Sequence, residues 1–113
     1  MPRLQLTALS FATLAVVTLA SCEAHAPVPE VCVSMCEVAT ELYGGCLESW
    51  GADWHAAGYD DAAHHQESCE TWAWELGLLH STEEIAEECE LREELLSVDE
   101  CDAYTSMSWT DPL

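Results

Sequence analysis

Apolar residues recur at helical intervals in three stretches of the chain. Val31, Val38, Leu42 and Leu47 are broadly helical in spacing from Glu30 to about Trp50, and predict a first helix whose last third is weakened by Gly44-Gly45. Gly51 to Tyr59 carries no periodic pattern and contains Gly51 and Gly58 as breakers, so it reads as a loop. Asp60-Asp61 then opens a second helix with acids at its positive end, and Ala62, Cys69, Trp72, Ala73, Leu76 and Leu79 form its buried stripe. His80 to Thr82 turns the chain. Ser81-Thr82-Glu83-Glu84 has the form of a capping box, with Ser81 as cap and Glu84 reaching back. The third helix runs to about Leu96, with Ile85, Cys89, Leu95 and Leu96 inward. Ser97 to Leu113 holds Cys101, Tyr104 and Trp109 among polar residues and is expected to wrap irregularly across the helices. The expected fold is all-α, a small three-helix disulfide-bonded bundle with an irregular C-terminal tail.

The first residues follow a different logic. Met1 to Arg3 gives a positive start, Leu4 to Leu19 is an apolar run interrupted by polar residues, and small Ala20 and Ser21 follow. This describes a secretory signal, shorter than the roughly 20 apolar residues of a spanning helix. Leu19-Ala20-Ser21-Cys22 at its end resembles the lipobox of bacterial prolipoproteins. The resemblance implies cleavage before Cys22, two or three acyl chains such as palmitate on that cysteine, and a location in the cell envelope. Glu23 differs from the Asp that retains some lipoproteins at the inner membrane, so the outer membrane is favoured in a Gram-negative cell. The expected organisation is a signal peptide over 1–21, a lipidated N-terminus and Pro-containing spacer over 22–29, and an acidic helical domain over 30–113. In general form the mature part resembles small cysteine-rich lipoproteins of unknown role, a likeness of composition that lends no site residues.

Seven cysteines leave one over in an oxidising compartment, and lipidation of Cys22 removes the odd thiol. On the first helix, Cys36 and Cys46 lie about 40° either side of Cys32, so the three sulfurs share a face. With the helices running up, down and up, the rise per residue sets a height for each cysteine. Cys46 then pairs with Cys101, Cys36 with Cys69, and Cys32 with Cys89. A metal centre is not expected. No C-x₂-C or H-E-x-x-H occurs, adjacent His64-His65 diverge on a helix, and the histidines read as solvated or capping residues.

Charge narrows the partners. All 22 carboxylates lie at or after Glu23, and Arg92 is the one basic residue there, a formal 22 minus 1, or −21; the chain has no lysine. Such a domain repels nucleic acid phosphates and anionic headgroups, leaving a cationic or uncharged protein partner and membrane attachment through the lipid. Glu83, Glu87, Glu90 and Glu94 form an acidic ridge on the third helix and, with Trp74, a candidate partner surface. Trp72 and Trp74 are about 200° apart on a helix. If Trp72 is core, Trp74 faces elsewhere, under the tail near Trp109 or in an exposed partner patch, with tail cover favoured. The carboxylates allow weak Ca²⁺ binding, although the ordered EF-hand loop is missing. No other cofactor and no catalytic residue is expected, since neither a nucleophile motif nor a phosphate-cradling loop is present. Asp61 and His65, at i,i+4, read as a helix N-terminal acid beside a surface histidine rather than a base-orienting pair. The leading expectation is a lipid-anchored binding or structural module. The alternatives are an inhibitor or immunity protein against a basic hydrolase, and a small hydrolytic enzyme using carboxylates.

Overall fold

The computed structural model describes residues 27–110; the expected signal segment, Cys22, the start of the spacer and residues 111–113 lie outside the described residues. The described residues form four helices: α1 Glu30–Ser49, α2 Ala62–Leu76, α3 Thr82–Leu96 and the short α4 Cys101–Thr105. The described residues contain no strand, so the domain is all-α with three long helices.

The start of α1 is set by Pro29, in extended conformation (φ −64°, ψ 148°), whose missing N–H costs nothing at a helix N-terminus. Gly44-Gly45 does not weaken the helix visibly, for α1 continues unbroken to Ser49. The Trp54 ring occupies the space a side chain at position 44 would take, since a Cβ there would meet Cζ2 at 3.0 Å. Burial of that ring works against the ~1 kcal/mol of helix propensity that a glycine forfeits. Gly51 and Gly58, at φ 71° and 95°, turn the following loop.

Asp61 accepts a hydrogen bond from the His64 N–H and caps α2. Ser81 and Glu84 complete the reciprocal capping box of α3, at 3.2 and 3.0 Å. Asp99, in left-handed conformation (φ 58°), redirects the chain into α4. The tail is thus irregular apart from the one short helix at Cys101–Thr105.

α1 is the central element: α2 and α3 each pack on it far more extensively than on each other. Its face of Cys32, Met35, Cys36, Ala39, Leu42 and Cys46 meets Cys69 and Ala73 of α2 and Ile85, Cys89 and Leu96 of α3. Every disulfide has one end on α1. Cys32–Cys89 ties it to α3, Cys36–Cys69 to α2 and Cys46–Cys101 to α4, with Cα separations of 5.0, 5.7 and 5.8 Å. These are the pairs that the helix heights predict. Two polar contacts reinforce the same contacts: Ser34 Oγ donates to Glu93 Oε1 at 2.8 Å, and Gln66 Nε2 to the Val33 carbonyl at 3.3 Å.

Three positions expected in the buried stripes are exposed. Ala62 opens the first turn of α2, where the N-terminus projects into solvent. Leu79, 86% exposed, lies beyond the helix end, because Gly77 closes α2 and residues 77–79 form a tight turn. Leu95, 45% exposed, is about 100° around α3 from fully buried Leu96, so both cannot face the core.

Candidate partner-binding surface

The acidic ridge is the one part of the expected surface that a single helix holds together. Glu83, Glu87, Glu90 and Glu94 are all exposed on α3. At about 100° per residue, they lie ~40–100° to one side of Leu91. Leu95 lies ~40° to the other side, and beyond it at ~100–160° come the buried Arg92, Ile85, Leu96 and Cys89. An apolar stripe therefore runs between the ridge and the core. Leu91, Leu95 and Val98 along it are 46%, 45% and 59% exposed.

Each end of the stripe opens into a depression. The first, of about 320 Å³, has Leu76, Ile85 and Leu91 as apolar lining and His80, Glu84 and Glu87 among its polar residues. His80 Nδ1 lies 3.9 Å from Glu84 Oε2. The backbone and side-chain hydrogen bonds at Ser81, followed by His80, hold the Glu84 carboxyl below the usual carboxylate range. The second depression, of about 260 Å³, is lined by Leu95, Val98, Ala103, Ser106 and Met107.

Trp74 does not join this face. It is 48% exposed on α2 and lines a separate depression with Ala63, Gln66, Glu67, Glu70 and Thr71. The tail covers Trp72 instead: Trp109 meets the Trp72 ring edge-on, with centroids 5.2 Å apart. The expected cover of Trp74 by Trp109 is thus corrected, and the reason is a buried cation.

Arg92 is 0% exposed and sits against both rings, its Cζ 4.6 Å from the Trp72 centroid and 5.0 Å from that of Trp109. Its Nε donates to Glu88 Oε1 at 3.1 Å and a terminal NH donates to the Ser108 carbonyl at 2.6 Å. Burial draws its pKa down from the usual arginine value, and the contact with Glu88 opposes that. The guanidinium fastens the tail to α3, and Trp109 follows Ser108 onto Trp72. Because Arg92 is buried and lysine is absent, no Lys or Arg side chain is exposed among the described residues.

His65 is the second buried polar residue, only 3% exposed, where a surface histidine is expected. Its Nδ1 is 2.6 Å from Thr40 Oγ1 and its Nε2 2.8 Å from the Tyr104 hydroxyl, so the neutral ring donates to one and accepts from the other. Tyr59, Trp54 and Tyr43 surround it, with centroids at 4.9, 5.2 and 5.5 Å. Tyr104 in turn stacks on Tyr43 at 4.2 Å. Burial lowers the His65 pKa and holds the Tyr104 phenol well above its usual value. Asp61 makes no base-orienting pair with the ring: its carboxylate caps His64, and its carbonyl accepts from the His65 backbone N–H at 3.2 Å. The cluster joins α1, α2 and α4, and both ring nitrogens are engaged in doing so.

Neither a family model, nor a curated protein, nor a solved structure matches this chain.

Proposed function

We propose that the chain is a lipid-anchored extracytoplasmic envelope protein whose disulfide-bonded domain is a binding module for a cationic protein partner. One observation carries the reading: the only basic side chain after residue 22 is buried, so the described surface offers carboxylates with no Lys or Arg beside them. Such a surface attracts cationic proteins through long-range, salt-sensitive forces and repels anionic membranes and nucleic acids. The three bridges consume all six cysteines after Cys22, which suits an oxidising compartment and leaves Cys22 as the thiol available for lipid. Weak, diffuse Ca²⁺ binding to the carboxylates belongs to the same electrostatics.

An inhibitor or immunity protein that blocks a basic hydrolase is the alternative within this reading, and it predicts the same salt-sensitive association. The test has two arms. Mass spectrometry of the mature N-terminal peptide should find an acylated Cys22, and Cys22→Ala should move the protein out of the membrane fraction. Pull-down from envelope extract should retain a basic protein at low salt and release it at high salt. An unmodified Cys22 overturns the anchor, and salt-insensitive capture or none overturns the cationic partner.

A further inference from the structure

We propose that the Leu91, Leu95 and Val98 stripe is a docking surface for a cationic amphipathic segment of the partner protein, an inference that rests on the cationic-partner reading above. The segment lies along α3 with its apolar residues in the two depressions. Its Lys or Arg residues sit over Glu83, Glu87, Glu90 and Glu94.

The geometry for this is a linear one. Half-exposed Leu91 and Leu95 follow one another four residues apart on the outer face of α3, and half-exposed Val98 extends the line from the turn just past the helix end. Depressions of about 320 and 260 Å³ flank them, the first containing Leu91 and the second Leu95 and Val98. From Ile85 to Val98 the track is roughly 20 Å long, about four helical turns. An amphipathic helix presents anchors at the same intervals, which is how such helices fill grooves.

Charge selects the occupant. A second copy of this chain would bring its own acidic ridge against this one, with no exposed Lys or Arg to answer it. A purely apolar ligand would bury the stripe and leave the ridge carboxylates beside a desolvated surface with no counter-charge, and an anionic lipid surface would be repelled. A segment with aliphatic residues on one face and cations at its border satisfies both the stripe and the ridge.

The test uses the mature chain from residue 22, oxidised and carrying Cys22→Ser so that neither lipid nor detergent is present. The probes are a helical Leu/Lys peptide with all leucines on one face, a peptide of the same composition in an order that destroys that face, and polylysine. The faced peptide should bind about tenfold tighter than its scrambled counterpart. L91Q/L95Q preserves charge and removes only half-exposed side chains. It should weaken the faced peptide about tenfold or more and leave polylysine affinity within about twofold. Circular dichroism and melting of the variant show that it folds, and E87Q/E94Q supplies a second variant, expected to weaken all three probes. Equal affinity for the two peptides, or no effect of L91Q/L95Q, overturns the docking surface while leaving the cationic partner standing. Self-association that L91Q/L95Q abolishes overturns it in favour of a second copy. Failure of every cationic probe to bind at low salt overturns the cationic-partner reading itself.

Discussion

Replacing Arg92 with Met keeps most of the length and apolar volume of the side chain and deletes the guanidinium. Among the described residues the hydrogen bonds lost are those to Glu88 and to the Ser108 carbonyl, which involve a charged donor and are each worth about 1.5–3 kcal/mol. Contact with the Trp72 and Trp109 faces adds about 1–2 kcal/mol in a desolvated setting. Against these stands the desolvation of the cation, which the substitution relieves, so the net loss is expected near 3–5 kcal/mol, the cost of breaking a buried pair from one side. That is a large share of the roughly 5–15 kcal/mol that holds a domain folded.

Urea denaturation of the oxidised protein, followed by tryptophan fluorescence, measures the loss, and Trp72 and Trp109 report the site directly. The substitution also takes the mature formal charge one unit further negative. Repeating the melt at about 1 M salt, where the Debye length is ~3 Å, removes that contribution and leaves the local one. Arg92→Lys keeps the charge without the planar fork and should lose about half as much. Arg92→Met with Glu88→Leu should recover part of the loss, because a buried pair replaced whole costs less than one broken. A loss below about 1 kcal/mol for Arg92→Met, at either salt, would show that the tail is held by something other than this cation.

The lowered pKa of His65 gives the domain an acid-side weakness with a definite sign. Its contribution is fully present above the unfolded value of 6.5 and is lost as pH falls from there through the lowered folded value. His65→Gln, which can still bond both hydroxyls, should flatten the fall in stability below about pH 6.5; an unchanged slope would place the proton uptake elsewhere. The bridges close chain separations of 57, 33 and 55 residues, and loop-closure entropy assigns each about 4 kcal/mol. Full reduction should therefore unfold the domain at 25 °C, read as loss of helical circular dichroism, and a cooperative melt of the reduced protein would contradict that.

The helices and bridges were legible because each has a local or periodic signature. Cysteines spaced along one face of α1 can reach only partners of similar height, and Ser81 with Glu84 announces the start of α3 without any tertiary knowledge. The errors arise where a helix ends or where burial depends on distant chain. Leu79 continues the apolar period of α2, but Gly77 closes the helix before it. His65 is buried by Thr40 and Tyr104, which lie 25 and 39 residues away in sequence, and nothing near it announces them. Arg92 did carry a signal: it lies three residues after Cys89 and four before Leu96, on the buried face, with Glu88 one turn back to meet its charge. The stripe was hidden for the opposite reason, since Leu95 reads as core when hydrophobicity alone is counted.

Burial of Arg92 also shapes the field outside the domain. An exposed arginine would offset carboxylates locally and offer a foothold on phosphate; a buried one steadies the tail and leaves the surface to the acids. On the proposed anchored reading, that field must be kept clear of an anionic membrane, and the spacer is long enough to do so. Val28 packs against the core, so five residues from Glu23 to Pro27 are left as spacer; if extended they reach roughly 15 Å, nearly twice the ~8 Å Debye length at physiological ionic strength. The lipid then supplies the membrane affinity that the domain surface opposes. The half-exposed leucines of α3, lying beside the acidic ridge, are left to a protein that brings its own cations.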